Sequence, residues 1–186
     1  MKSISLIEAQ KRLESIGLYL TENRFLYYTR DVSHCFEIEI DVNLKSSEVI
    51  PLVDYLLPTW EDFSFSGGLF IVRKRGIWGD YSEKVAERLY KKITRTSTDS
   101  LLFADSECQL LDSNEVYDMH TLFLIPLLFG WDAFVVPLEK DYFVFVCHDG
   151  LVSIVCKTEI EKQQVARRIS DWSPELDMHW YHNRLL

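Results

Sequence analysis

Residues 131–157, WDAFVVPLEKDYFVFVCHDGLVSIVCK, decide the fold of this chain. They read as strand, turn, strand, Asp-Gly turn and strand, and the following TEIEKQQVARRISDW (158–172) reads as a helix. Asp149-Gly150 between two apolar runs is a strong hairpin signal, because a two-residue type I′ turn needs positive φ at both central positions. A turn of that kind pairs His148 with Leu151, Cys147 with Val152, Phe145 with Ile154 and Phe143 with Cys156. One face then carries Tyr142, Val144, Val146, Leu151 and Val155; the other carries Phe143, Phe145, Cys147, Val152, Ile154 and Cys156. Both faces are apolar, so these strands are expected inside a sheet, covered on both sides. Cys147 and Cys156 fall on one face of this register but roughly 13 Å apart at the usual strand rise, too far for a disulfide. Truncating Phe145 to Ala in such a core would cost about 3–5 kcal/mol.

The rest of the chain alternates helix and strand signals. Ser5 and Glu8 have the form of a capping box, and Leu6, Ala9, Leu13 and Ile16 share one face, which predicts a helix from Leu6 to about Tyr19. Cys35–Ile40 alternates Phe36, Ile38 and Ile40 with Glu37, Glu39 and Asp41, the pattern of a half-buried edge strand with an acidic face. A short helix is expected over Ser47–Leu57, a loop over Thr59–Gly68 and a strand over Leu69–Arg73, with Gly67-Gly68 marking a bulge or tight turn. Asp80 and Glu83 open a helix to about Thr94, and Ser100–Ala104 and Cys108–Leu111 read as short strands. Asp112 and Glu115 favour a helix start, but Pro126 in a Leu-Phe-Leu-Ile run points to a short helix followed by a buried, partly extended segment. Thr158 and Glu161 cap the last helix, which runs to about Asp171. These elements predict an α+β fold, with helices packed on a mostly antiparallel sheet and a C-terminal hairpin followed by a helix.

The 186 residues, 47% hydrophobic and 13% aromatic, suit a single globular domain over 1–186. Seven Gly and five Pro occur without a low-complexity run, so no linker is expected. The start, MKSISLIEAQKRLESIG, lacks the apolar stretch of a signal peptide. Four cysteines without CxxC spacing read as free thiols of a reducing compartment, so a cytoplasmic location is expected. The net charge of −9 is uneven: residues 67–98 carry eight basic and three acidic side chains, and the segments on either side are acidic. Such a surface argues against bulk affinity for nucleic acid and favours basic partners. The longest apolar run, Leu122 to Trp131, is interrupted by Pro126 and Gly130 and is too short to span a bilayer, so no membrane association is expected.

No catalytic, metal or nucleotide motif of any specificity occurs, and no cofactor is called for. Asp177, His179 and His182 come nearest to a metal site, since imidazoles three apart share one side of a helical turn. Cys147-His148 suggests a nucleophile and base, but neighbours on a strand point to opposite faces. Glu37, Glu39 and Asp41 are candidates for a partner-binding face, together with the aromatics Trp60, Trp78 and Trp131, because Trp is enriched at interface hot spots. Arg73, Lys74 and Arg75 are candidate phosphate ligands.

In size, acidity and the stretch GWDAFVVPLEKDYFVFVCHDGLVSIV (130–155) with its following helix, the chain resembles the small cytoplasmic immunity proteins of bacterial polymorphic-toxin systems. The resemblance implies a non-catalytic protein that neutralises a basic toxin by binding it. Two other readings stand beside it: an enzyme with a pocket between sheet and helices, and a phosphate- or nucleic-acid-binding module using segment 73–95.

Overall fold

A computed structural model describes residues 1–22, 24–28, 36–41, 49–50, 52–53, 67–74, 80–95, 108–172 and 178–182. The elements, in chain order, are β1 (Lys2–Ile4), α1 (Leu6–Ser15), β2 (Leu18–Leu20), β3 (Leu26–Tyr28), β4 (Phe36–Asp41), β5 (Gly67–Lys74), α2 (Asp80–Thr94), β6 (Cys108–Asp112), α3 (Val116–Phe129), β7 (Asp132–Pro137), β8 (Tyr142–Cys147), β9 (Leu151–Cys156), α4 (Glu159–Trp172) and β10 (Met178–His182). Eight strands form one sheet in the order β1-β6-β5-β7-β8-β9-β4-β10, and β2 and β3 form a separate ribbon. Each neighbouring pair is antiparallel. The fold is α+β, with the expected C-terminal hairpin leading into a helix.

The hairpin itself is one residue out of the expected register. Val144 faces Ile154, Val146 faces Val152 and Cys147 faces Leu151, which leaves His148, Asp149 and Gly150 as a three-residue turn. Gly150 takes φ 82° and donates its N–H to the Cys147 carbonyl, so one positive-φ residue closes the loop where the two-residue turn would need two. Strand side chains alternate, so the slip exchanges every partner: Phe145 shares a face with Ser153, not Ile154, and Cys147 and Cys156 lie on opposite faces.

Two apolar layers follow from this alternation. Phe70, Val72, Ala133, Val135, Tyr142, Val144, Val146, Val152, Ile154 and Cys156 pack under α2, α3 and α4. Leu69, Ile71, Cys108, Phe134, Val136 and Phe143 pack under α1 and the β2–β3 ribbon. Gly67, at φ 123°, lets β5 approach β6 so closely that a Cβ there would stand 2.6 Å from the Leu111 carbonyl oxygen.

Local signals set most helix ends. Ser5 Oγ accepts from Glu8 N–H, Thr158 Oγ1 from Glu161 N–H, and Glu115 reaches back to Asp112 N–H. α1 ends at Ser15, four residues short of expectation, because Gly17 at φ 80° turns the chain into β2. α3 continues through Pro126 to Phe129, where an extended segment was expected. Val116, Met119, Leu122, Phe123, Ile125 and Pro126 itself are buried, and their packing outweighs the single hydrogen bond that Pro126 cannot donate. Gln109, fully buried in β6, is satisfied: it accepts from Ser3 Oγ and donates to Tyr90 Oη. Of the helix expected over Ser47–Leu57, residues 49–50 and 52–53 are described and helical, with Val49, Leu52 and Val53 buried. The loop at Thr59–Ser66 and the strand at Ser100–Ala104 lie outside the described residues.

Candidate functional site

α3 ends at Gly130, whose left-handed φ of 63° directs its N–H to the Pro126 carbonyl and turns the chain into β7. That turn buries Trp131 completely and leaves Asp132 only 2% exposed at the mouth of an otherwise apolar strand. A buried carboxylate is costly unless paired and hydrogen-bonded, and Asp132 has partners on both oxygens. Oδ1 accepts the His148 backbone N–H at 2.9 Å and lies 2.7 Å from ring Nδ1, while Oδ2 accepts from Arg73 Nη1 at 3.2 Å. The Arg73 guanidinium in turn lies 3.9 Å above the Phe25 ring, and Arg24 Nη1 donates to the Val72 carbonyl. Asp132 therefore joins three pieces: the start of β7, the turn of the β8–β9 hairpin, and β5 with the tip of the β2–β3 ribbon.

Cys147 and Asp149 flank this node. Cys147 Sγ lies 3.9 Å from His148 Nδ1 and 3.7 Å from Asp149 Oδ2, and His148 Nε2 lies 3.3 Å from Asp149 Oδ1. The two neighbours approach because His148 belongs to the turn, which corrects the expectation that a strand would hold them apart. Proximity does not make a nucleophile here. In a working Cys-His-Asp relay one ring nitrogen takes the thiol proton and the other is held by the carboxylate; here Nδ1 faces both. Burial pushes the Cys147 thiol up, and the carboxylates of Asp132 and Asp149 push it further against one backbone hydrogen bond that lowers it. The group is a protonated thiol at neutral pH, poorly suited to attack.

The residues singled out from the sequence are dispersed. Trp131 packs in the core with its ring 5.9 Å from that of Tyr90, so it is not a docking anchor. Trp60 and Trp78 lie outside the described residues. Arg73 is engaged with Asp132 and Phe25; Lys74 ends β5, and Arg75 lies outside the described residues. Asp177 also lies outside them, while His179 and His182 belong to β10. Positions three apart on a strand fall on opposite faces, so the helical spacing behind the metal reading does not hold.

Glu37, Glu39 and Asp41 lie on β4, which is not an edge strand: β9 flanks it on one side and β10 on the other. In register they stand opposite Val155, Ser153 and Leu151 of β9, and Glu37 and Glu39 stand opposite Tyr181 and His179 of β10. The edge is capped by a tail segment whose sequence shows no clean strand alternation, which is why it was missed. The Asp132 node was missed as well, although an acid opening the apolar run WDAFVV is itself a sign of a buried charge that needs partners.

Along α4, Glu159, Lys162, Gln163, Ala166, Arg167 and Ser170 line a wide-open depression of about 400 Å³. None of the described helices is long and apolar enough to cross a membrane. The chain matches no protein-family model, no curated protein and no solved structure.

Proposed function

We propose that the chain is a binding protein, without catalytic activity of its own, that engages a basic protein partner through the face of the sheet formed by β8, β9 and β4. The observation that carries this reading is the register of β4. It sets Glu37, Glu39 and Asp41 beside a row of partly exposed apolar residues, Phe145, Cys147, Leu151 and Val155. Acids around a modest apolar patch suit a cationic partner: the charges steer encounter, and the apolar groups supply binding energy on contact. The net charge of −9 extends the same attraction beyond the patch. The likeness of residues 130–155 to immunity proteins gives the partner a class, a basic toxin that this chain would neutralise in the cytoplasm by occupying it.

The test uses a partner captured by the full chain at low ionic strength and eluted by salt. The expected partner is strongly basic, and association should slow as salt rises. Reversing Glu37→Lys and Glu39→Lys together should slow association by at least about tenfold and flatten its salt dependence, with a smaller change in dissociation. An acidic partner, or an association rate indifferent to both salt and the double reversal, overturns the reading.

A further inference from the structure

We propose that this chain associates with further copies of itself, head to tail, by laying a basic row on α2 of one copy against the acidic face of β8, β9 and β4 of the next. The inference rests on the docking face proposed above and names a second copy of the chain as an occupant of it. Of the basic side chains that make residues 67–98 an exception in an acidic chain, α2 carries Lys84, Arg88, Lys91 and Lys92. Ala86, Tyr90 and Thr94, at helical spacing, are buried against the body of the protein, which turns Lys84, Arg88 and Lys92 to the opposite side. These three are exposed and carry no ion pair among the described residues. They stand four residues apart, about 6 Å along the helix axis at each step. Leu89, 41% exposed, lies one turn from Lys92 and gives the row an apolar neighbour.

The acidic positions of β4 match this row. Glu37, Glu39 and Asp41 alternate along the strand at about 6.5 Å per step, so three acids and three bases keep pace to within about 1 Å over both rows. Leu151 and Val155, partly exposed beside the acids, offer Leu89 an apolar surface to cover. The net charge of −9 on each copy opposes approach at long range. A Debye length of about 8 Å at physiological ionic strength screens that repulsion, while opposite charges a few ångströms apart still attract. α2 packs on the helical side of the sheet and the docking face looks to the ribbon side. Surfaces on opposite sides cannot meet in one two-fold dimer, so each copy gives its row to one neighbour and its face to another. One helix against three strands is a small contact, which makes the association weak and reversible. Self-association and binding of a basic partner then exclude each other, because both cover the same face.

Sedimentation velocity of the full chain at concentrations up to about 1 mM tests the assignment. At about 0.15 M salt the mean sedimentation coefficient should rise with concentration, and at about 1 M salt, where the Debye length is about 3 Å, the rise should vanish. Reversing Lys84→Glu, Arg88→Glu and Lys92→Glu in one chain should weaken self-association by at least about tenfold, and so should Glu37→Lys with Glu39→Lys. The two variants mixed in equal amounts should associate again, since each supplies the charge that the other has lost. That recovery also shows that both variants fold. A basic partner captured by the parent should still bind the α2 variant, whose docking face is intact. A parent that stays monomeric throughout, association that strengthens at about 1 M salt, association unchanged by the α2 reversal, or a mixture no better than either variant alone overturns the inference. None of these results touches the docking face itself, which stands or falls on the basic partner.

Discussion

One face of the eight-stranded sheet lies under three helices; the other lies under α1 and a two-stranded ribbon. The difference shows in β8 and β9, whose residues alternate between the two sides. Toward the helices, Tyr142, Val144, Val146, Val152, Ile154 and Cys156 are all buried. Toward the ribbon, Phe143 and Ser153 are buried, but Phe145, Cys147, Leu151 and Val155 keep partial contact with water. Neighbouring residues of one strand are thus placed in a closed core and in a surface that still has apolar area to offer. Stability should concentrate on the first side, and recognition on the second.

The sharpest test of that division is Trp131→Ala. The indole is fully buried against Tyr90 between α3 and the sheet, so its loss should cost about 3–5 kcal/mol in urea unfolding. A cost below about 1 kcal/mol would mean that the helical side is loosely packed and that the contrast between faces is false. Asp132→Ala comes next. It strands the Arg73 guanidinium and frees the hairpin turn, but Arg73 and His148 are each 23% exposed and can recover some hydration. The expected cost is about 2–3 kcal/mol, below the range for breaking a fully buried pair.

Cys108 tests the ribbon side at alkaline pH. Burial raises its thiol from 9.0 to about 11, against a smaller lowering by Arg24. Above pH 9 the unfolded chain loses this proton while the folded chain keeps it. The folded state then binds more protons, so stability must fall as pH rises, and it should fall by on the order of 2 kcal/mol by pH 11. Urea unfolding on either side of pH 9 should show a steeper decline for the parent chain than for Cys108→Ala. Equal slopes would mean that water reaches this thiol and that the ribbon side is not closed there.

The sequence revealed more of the elements than of their neighbours. Hairpin strands, capping residues and α2 were legible because their signals are local: alternation, a hydroxyl three residues ahead of an N–H, a helical apolar stripe. The register of β8 and β9 was not, since Asp-Gly can close either a two-residue turn or, with His148, a three-residue one, and the apolar pattern of both strands tolerates either. The interior position of β4 was hidden because its partner β10 lies far off in sequence, 138 residues away even at the nearest ladder pair, Ile40 with Met178. The Asp132 cluster draws on residues 73, 132 and 148, and nothing in the spacing along the chain announces that they meet. The acidic row was legible as a row, but its place beside Leu151 and Val155 depended on strand order.

Phe145→Ala carries the smallest effect and bears most directly on the comparison. In the two-residue register this ring belongs with Ile154 in a closed core, and its loss would approach the cost at Trp131. In the observed register it stands opposite Ser153, stacks on Phe134 at 4.8 Å between centroids, lies 5.8 Å from the Arg73 guanidinium and remains partly exposed. Partial exposure reduces the buried area lost on truncation, and solvent can fill the gap in place of an empty cavity, so about 1–2 kcal/mol is expected. The informative quantity is the ratio of this cost to that of Trp131→Ala, since both replace a large aromatic by the same methyl group. A ratio near one half or below supports a closed helical side and an open ribbon side. Equal costs would return Phe145 to a sealed core and remove the apolar patch on which the proposed docking face depends.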